Sequence, residues 1–389
     1  MKRILTSLLL SFTIISIAQE TAQNANPNTT MSIPAGYYNT ATGTGYILKT
    51  QLYNIIKDHN DRGYAGLWTT YETSDRDHQY ENDNTLIDLY SENPTGTDPY
   101  SFIVNTNQCG SYNAEGVCYN REHTVPQSYF GNSTQPMYSD AHFVLPTDGK
   151  VNGWRDDHPY GVVAATTNPC NAGATNTPCS TQNGSKLGNN VNSGYSAGYS
   201  STVFEPLDAF KGDIARCLLY FATRYEDQLG GFYTTSSSEA KVIFDGTTDH
   251  SFSQTFLNIL LTWNIQDPVS AREIERNDAV YARQNNRNPY IDHNEYVTAI
   301  WGLPLATPAF DALSTVSVYP NPATDIVNIS TEVALDEIDI ITINGQVLQQ
   351  IKKPVMENNN YTISNLPKGF YFLKLSSDTS SVTKKVVIN

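Results

Sequence analysis

The alternation of apolar and polar positions divides the chain into a helical part and a strand-rich part. Ile47, Leu48, Leu52, Ile55 and Ile56 recur three and four residues apart, which predicts a helix over Tyr46 to Asn60. The same periodicity marks Pro206 to Asp227, Ser251 to Trp263 and Val269 to Gln284. In the first of these, Phe210, Ile214, Cys217 or Leu218, and Phe221 form the buried stripe. The helix 269–284 adds Arg272, Arg276 and Arg283, read as a solvated face in preference to a substrate-facing basic stripe. Residues 69–116 are polar and Tyr-rich, predicting loops and short strands, and 164–201 is Asn/Gly/Ser/Thr-rich, predicting a long surface loop.

After Trp301 the period changes from helical spacing to alternation. Strands are predicted at Asp325–Ser330, Glu337–Asn344, Gln346–Ile351, Tyr361–Ile363, Gly369–Leu375 and Val382–Ile388, with Asn344-Gly345 as a hairpin turn because both residues tolerate positive φ. The expected fold class is α+β: a mainly helical domain followed by a small Ig-like β-sandwich. The expected boundaries are a signal peptide at 1–18, a flexible leader at 19–35, a main domain at 36–302, a linker at 303–314 and the sandwich at 315–389.

Composition adds the compartment. Met1-Lys2-Arg3 and the short apolar run up to Ala18 have the form of a secretory signal, and no later segment reaches the length of apolar chain that a membrane helix needs. Export permits disulfides, and Cys109 with Cys118, and Cys170 with Cys179, bracket two short polar loops, predicting two local bridges. Cys217 falls on a helical stripe and is expected to be a buried core thiol. The formal net charge of −15 opposes gripping a polyanion through the overall field, so a nucleic-acid enzyme of this composition needs a local source of positive charge.

The chemistry-bearing residues cluster in two runs. Glu122-His123, in Asn120-Arg121-Glu122-His123-Thr124-Val125-Pro126, places a carboxylate beside an imidazole and so can supply a metal ligand and a general base to one site. As a dipeptide the pair is common and says little. The second run, Asp140 to Arg155, offers Asp140, His142, Asp148 and Asn152 as donors for a hard cation and Arg155 as a guanidinium for phosphate.

Together these runs resemble the endonuclease I family, whose active site is a ββα-metal or His-Me finger. Further matching segments are Phe204-Glu205-Pro206-Leu207-Asp208-Ala209-Phe210-Lys211-Gly212-Asp213, Asp267-Pro268-Val269 and Gln284 to His293, so that the resemblance extends from about Gly36 to Trp301. It implies an endonuclease cleaving DNA, with RNA as a further substrate, at little sequence specificity and leaving 5′-phosphate ends. His123 would be the general base, and Glu122 and Asn152 would bind one Mg ion, with Mn or Ca as substitutes. Arg155 is the candidate phosphate contact, against the alternative that it braces the finger through Asp156 or Asp157. Asp140, His142, Glu205 and Arg216 are expected to support the site from behind, with Glu205, Asp213 and Arg216 as a buried ion-pair lattice. Some family members carry an arginine-bearing insertion between the catalytic histidine and the equivalent of Asp140. Residues 130–139 hold no basic residue, so that charge must come from elsewhere, Arg155 or Arg216 being the candidates.

The C-terminal unit resembles the type IX secretion sorting domain of Bacteroidetes proteins. The resemblance rests on Val318-Tyr319-Pro320-Asn321-Pro322-Ala323, Leu366-Pro367-Lys368-Gly369-Phe370-Tyr371-Phe372 and Lys384-Lys385-Val386-Val387. It implies a secreted or surface-attached protein that uses the type IX machinery; a monomer is expected. Two other readings compete. One is a non-catalytic adhesion or carbohydrate-binding protein, suited by the 25 tyrosines. The other is a zinc hydrolase using His123 and His142, for which no His-Glu-x-x-His spacing is present.

Overall fold

A computed structural model describes residues 33–110, 112–170, 178–303, 316–331, 334–343, 346–356, 359–377 and 381–389. The signal peptide, most of the leader, nearly all of the linker and the Asn344-Gly345 turn lie outside the described residues.

The main unit opens with α1 (Gly45–Ile56) and α2 (Gly63–Ser74). Strands β1 (Tyr119–His123) and β2 (Val144–Asp148) follow, with α3 (Gly149–Arg155) continuing directly from β2. A three-stranded antiparallel sheet, in the order β3 (Cys179–Ser180), β4 (Lys186–Asn189), β5 (Thr202–Glu205), leads into α4 (Lys211–Arg224), α5 (Leu229–Thr235), α6 (Gln254–Gln266), α7 (Ala271–Gln284), α8 (Pro289–Asp292) and α9 (Glu295–Trp301).

The centre is α4, in which every residue is buried. It packs against α1, α6 and α8, and Phe221 on it meets Phe130, Phe143, Tyr225 and Phe244. The stripe read from the sequence is therefore one face of a helix enclosed on all sides. Burial on that scale brings in charge, and the charge is paired. Arg216 of α4 makes a two-pronged contact with Glu273 of α7 at 2.5 and 2.7 Å, and Arg272 pairs with Asp213. Glu273 also closes a capping box with Ser270, so one carboxylate starts α7 and neutralises α4.

Three expectations need correction. Arg272 and Arg276 are buried, Arg276 reaching Asp75 at 2.8 Å, so this side of α7 faces neither solvent nor substrate. Helix α2 runs on into the expected loop region 69–116 as far as Ser74; its inward positions are Leu67, Thr70, Tyr71 and Ser74, a helical spacing carried by only one aliphatic residue. The segment 164–201 is not simply a loop, since β3 and β4 lie within it and pair antiparallel, β4 pairing onward with β5. Both local disulfides form, Cys109–Cys118 and Cys170–Cys179, and Cys217 is a buried free thiol.

The C-terminal unit forms two antiparallel sheets around one core. Its strands are β6 (Ser317–Tyr319), β7 (Ile326–Ser330), β8 (Glu337–Thr342), β9 (Val347–Lys352), β10 (Asn360–Ser364), β11 (Gly369–Ser376) and β12 (Ser381–Ile388). The sheet orders are β10-β7-β6 and β12-β11-β8-β9, and inward positions such as Val327, Ile329, Ile340, Leu373 and Val386 are fully buried. Alternation every second residue puts these side chains on the facing surfaces, the arrangement of a β-sandwich.

Candidate active site

Strand β1 pairs antiparallel with β2 in the register Glu122 with Leu145 and His123 with Val144. The chain turns from β2 into α3 at Asp148, whose Oδ1 accepts the backbone N–H groups of Lys150 and Val151. A side-chain cap of this kind is worth about 1 kcal/mol and fixes where the helix begins. Asp148 is thus a cap, occupied in starting α3, rather than a cation ligand. One turn later Asn152 reaches back, its Nδ2 donating to the carbonyl of Arg121 at 3.3 Å. The result brings Glu122, His123 and Asn152 to the edge of one open cavity of about 320 Å³, lined also by Tyr64, Tyr112 and Arg121.

Glu122 is buried, and the hydrogen bonds it accepts fall on Oε1: from the hydroxyls of Tyr90 at 3.0 Å and Tyr160 at 3.4 Å, with Arg155 Nη1 at 3.0 Å. Burial pushes this carboxyl up to about 7, against the opposing pull of Arg155 and the two hydroxyls. His123 accompanies Tyr138: the rings stack at 5.3 Å and 13°, and Nε2 lies 3.2 Å from the Tyr138 carbonyl oxygen. A carbonyl can only accept, so this contact assigns the proton to Nε2 and leaves Nδ1 as the lone-pair nitrogen. Burial holds the imidazole down to about 4, which keeps it neutral at pH 7.

Arg155 is not placed as a phosphate clamp. It is 1% exposed, and its Nη1 and Nη2 donate to the His123 and Thr124 carbonyls at 2.8 Å each while the guanidinium also faces Glu122 and lies over the Tyr160 ring. It braces β1 and the turn after it, through Glu122 and the two carbonyls rather than through Asp156 or Asp157. Arg216, the other candidate for phosphate charge, is fully engaged with Glu273, Asn264 and the Asp267 carbonyl.

Arg155 shares the cavity lining with a second basic group, Arg121, which belongs to the Glu122-His123 motif. Its guanidinium carbon sits 3.5 Å from the Tyr64 ring centre and 4.1 Å from that of Trp68, and Nη1 donates to the Tyr64 carbonyl. Tyr64 in turn stacks on Tyr138 at 3.9 Å. Trp68, Arg121, Tyr64, Tyr138 and His123 thus form one run of successive ring contacts, of which Arg121, Tyr64 and His123 line the cavity. Positions i and i+2 on one strand put Arg121 and His123 on the same face, the signal in the sequence by which Arg121 could be found. The opposite wall depends on glycine: a Cβ at Gly153 would stand 2.5 Å from the Tyr112 hydroxyl.

The remaining predicted residues lie behind the site, and no hydrogen bond joins them to Glu122, His123 or Asn152 among the described residues. Asp140 accepts from Tyr220 and Tyr225 at 2.8 Å each and from Gln284 at 2.9 Å. Burial alone would raise Asp140, but His59, His142, Gln284 and Arg224 outweigh it and hold it at about 2. His142 faces the Asn286 carbonyl at 2.9 Å. Glu205 takes Lys186 and Lys211 at 2.8 and 2.6 Å, anchoring β5, whose Phe204 packs on Tyr90 and Tyr160. The expected lattice is therefore two networks, Glu205 in one and Arg216 with Asp213 in the other.

A zinc site shared by His123 and His142 is not assembled. Among the described residues the group of three acidic, His or Cys side chains close enough to share an ion is Glu81, Glu92 and Asp98.

Comparison with known proteins assigns both units to families. The family Endonuclease I matches residues 44–295, and the Secretion system C-terminal sorting domain matches 317–389. The "Extracellular ribonuclease" of Bacillus subtilis (strain 168) is 32% identical over 295 residues, which cover 74% of this chain and 83% of that protein. The "Extracellular ribonuclease" of Bacillus amyloliquefaciens is 31% identical over 270 residues, covering 68% of this chain and 78% of that protein. The sorting domain and these relatives point to secretion or the cell surface. No helix among the described residues is long and apolar enough to cross a membrane.

Proposed function

The chain belongs to the endonuclease I family, and from that premise and the cavity's geometry we propose that it is an endonuclease hydrolysing phosphodiester bonds of DNA and RNA with little sequence specificity. The observation that carries the proposal is the single cavity edge where His123, with Nε2 tied to the Tyr138 carbonyl, stands beside Glu122 and Asn152. RNA is included because two relatives are named extracellular ribonucleases.

The donor set suits a hard divalent cation. Glu122 takes its hydrogen bonds on Oε1, Asn152 donates through Nδ2, and neither sulfur nor a second imidazole lines the cavity. Glu122 and Asn152 would hold it, with magnesium preferred and manganese or calcium as substitutes. The charged lining gives a further reason: Arg121 and Arg155 stand against Glu122, Asp156 and Asp157, so the residues alone do not make the cavity positive. A bound Mg ion supplies charge against the negative charge that develops on the phosphate oxygens and on the departing O3′.

The residues themselves supply the proton transfer and the orientation. His123 Nδ1 accepts a proton from water as its oxygen attacks phosphorus, and the Tyr138 carbonyl stabilises the imidazolium that results by accepting from Nε2. Cleavage of the P–O3′ bond, with solvent returning a proton to O3′, leaves a 5′-phosphate and a 3′-hydroxyl. Tyr90, Tyr160 and Arg155 hold Glu122 in one orientation, and Arg121 is the residue placed to contact a phosphate oxygen. Within this reading 36–302 is the nuclease domain, 303–314 a linker and 315–389 the sorting domain.

Incubating the purified protein with plasmid DNA, single-stranded DNA and RNA tests the proposal. Cleavage needing Mg, stopped by chelator, lost in His123→Ala and leaving ends that DNA ligase can rejoin without kinase is expected. No cleavage of any of the three under Mg, Mn or Ca, or full activity in His123→Ala, would overturn it.

A further inference from the structure

Glu81, Glu92 and Asp98 lie in the loop region between α2 and β1, outside the cavity described above, and each brings a carboxylate oxygen within 4.8 Å of those of the other two. Acidic clusters on a surface are common, and proximity alone means little. The distinguishing feature is Glu92. It is 1% exposed, and its Oε1 is buried with no hydrogen-bond partner among the described residues. An unpaired buried carboxylate oxygen is costly, and proteins satisfy such atoms with a donor, a proton or a cation.

No donor among the described residues reaches that oxygen. Asp98 Oδ1 accepts the Asn93 N–H at 2.7 Å, which fixes its direction within the loop. Nearby Asp77 already accepts the N–H groups of Gln79 and Tyr80. Arg272, a cation that acts on Glu92, is paired through Nη2 with Asp213. Buried Glu92, half-buried Asp98 and exposed Glu81 grade from the interior to the surface. An ion would thus meet a fixed inner ligand and an outer one that can adjust, with room for water outside.

We propose that Glu81, Glu92 and Asp98 form a second divalent-cation site, structural rather than catalytic, that takes calcium. Three carboxylates with no nitrogen or sulfur donor select a hard cation, and calcium accepts irregular, partly hydrated shells with oxygens at about 2.3–2.6 Å. Oxygens up to 4.8 Å apart lie within the diameter of such a shell. Its effect would be local. Glu92 stands two residues beyond Tyr90, whose hydroxyl holds Glu122, and four beyond Asp88, whose Oδ2 accepts the Asp148 N–H at the start of α3. Calcium would fasten the far end of that segment, making it a positioning device for the Glu122 side of the cavity.

Counting calcium on the full chain tests this, in a Glu122→Gln background so that the cavity proposed above lacks its carboxylate ligand. Equilibrium dialysis should find one calcium per Glu122→Gln chain and none after Glu81→Gln and Asp98→Asn are added. The melting temperature of the Glu122→Gln protein should rise by several degrees from EDTA to millimolar calcium, a rise the added pair abolishes. Should the triple variant not fold, Glu122→Gln with Glu81→Gln alone, at an exposed carboxylate, should bind calcium at least tenfold more weakly with an unchanged melting temperature in EDTA. No calcium bound by Glu122→Gln, or equal binding with and without the added substitutions, would overturn the proposal. So would a pair that stabilises the protein in EDTA while calcium leaves the parent unchanged, which would mean that the cluster shares a proton. The count needs no nuclease activity, so it stands or falls separately from the proposed reaction.

Discussion

Replacing Arg155 by Met separates bracing from substrate contact. The change keeps the aliphatic volume and removes the charge, so packing alone should cost little. What remains is a buried carboxylate and two backbone carbonyls that have lost donors at 3.0, 2.8 and 2.8 Å. Removing one partner of a buried ion pair costs about 3–5 kcal/mol. The lower end applies, because Glu122 is already pushed up to about 7 and, without Arg155, takes a proton instead of remaining charged. For a unit of this size 1 kcal/mol corresponds to a shift of about 2–4 °C, so the nuclease transition should fall by roughly 6–12 °C in calorimetry with chelator present. Adding Glu122→Gln should cost much less than it does in the parent, since the pair is already broken. Activity should fall through kcat and weaker metal affinity, with KM for nucleic acid little changed. A variant that melts within a degree of the parent and loses only KM would refute the bracing role and return Arg155 to the phosphate.

Arg121→Gln should lower kcat/KM by about tenfold and reduce the salt dependence of substrate binding by about one counterion; unchanged kinetics would leave Arg121 a packing residue of the Tyr64 stack. Proton and cation compete for Glu122, whose raised value of about 7 means that apparent Mg affinity should weaken about tenfold per pH unit below 7. Saturating Mg should restore the rate down to pH 5, since His123 is held at about 4 and stays deprotonated, and metal titrations at pH 5.5, 6.5 and 7.5 would show it. His123 and His142 are both held near 4 by burial, below an unfolded value of about 6.5, so their contribution is whole above pH 6.5 and disappears as pH falls towards 4. Each accounts for about 3 kcal/mol of that acid loss, and His142→Gln should flatten the slope of urea stability against pH in this window.

Legibility in the sequence followed the range of the physics. Helices α1, α4 and α6 follow from buried stripes that are largely aliphatic or aromatic, whereas α7 forms with a buried face that is polar apart from Val280; each lies within a few residues of its expected ends. Helix α2 escaped because Thr70, Tyr71 and Ser74 fill inward positions where periodicity looks for aliphatics. In the C-terminal unit β7, β10 and β11 alternate along their length, and all six predicted strands form. Their period of two survives any detail of packing. The charged residues were read worst. Arg272 and Arg276 look solvated in a helical wheel, yet their partners, Asp213 and Asp75, come from elements far away in the chain.

The sequence alone determined four of the helices, the C-terminal strands, the two local disulfides and the three residues that meet at the cavity, because these follow from short-range pattern and from motifs a few residues long. Tertiary structure decided what surrounds them. Tyr90 and Tyr160 reach Glu122 from 32 and 38 residues away, Arg155 turns inward beneath β1, and Arg121 comes to line the cavity in a stack with Tyr64 and Trp68. A side chain's partner depends on how distant segments pack, and a guanidinium that looks free in sequence takes whichever carboxylate the fold buries beside it.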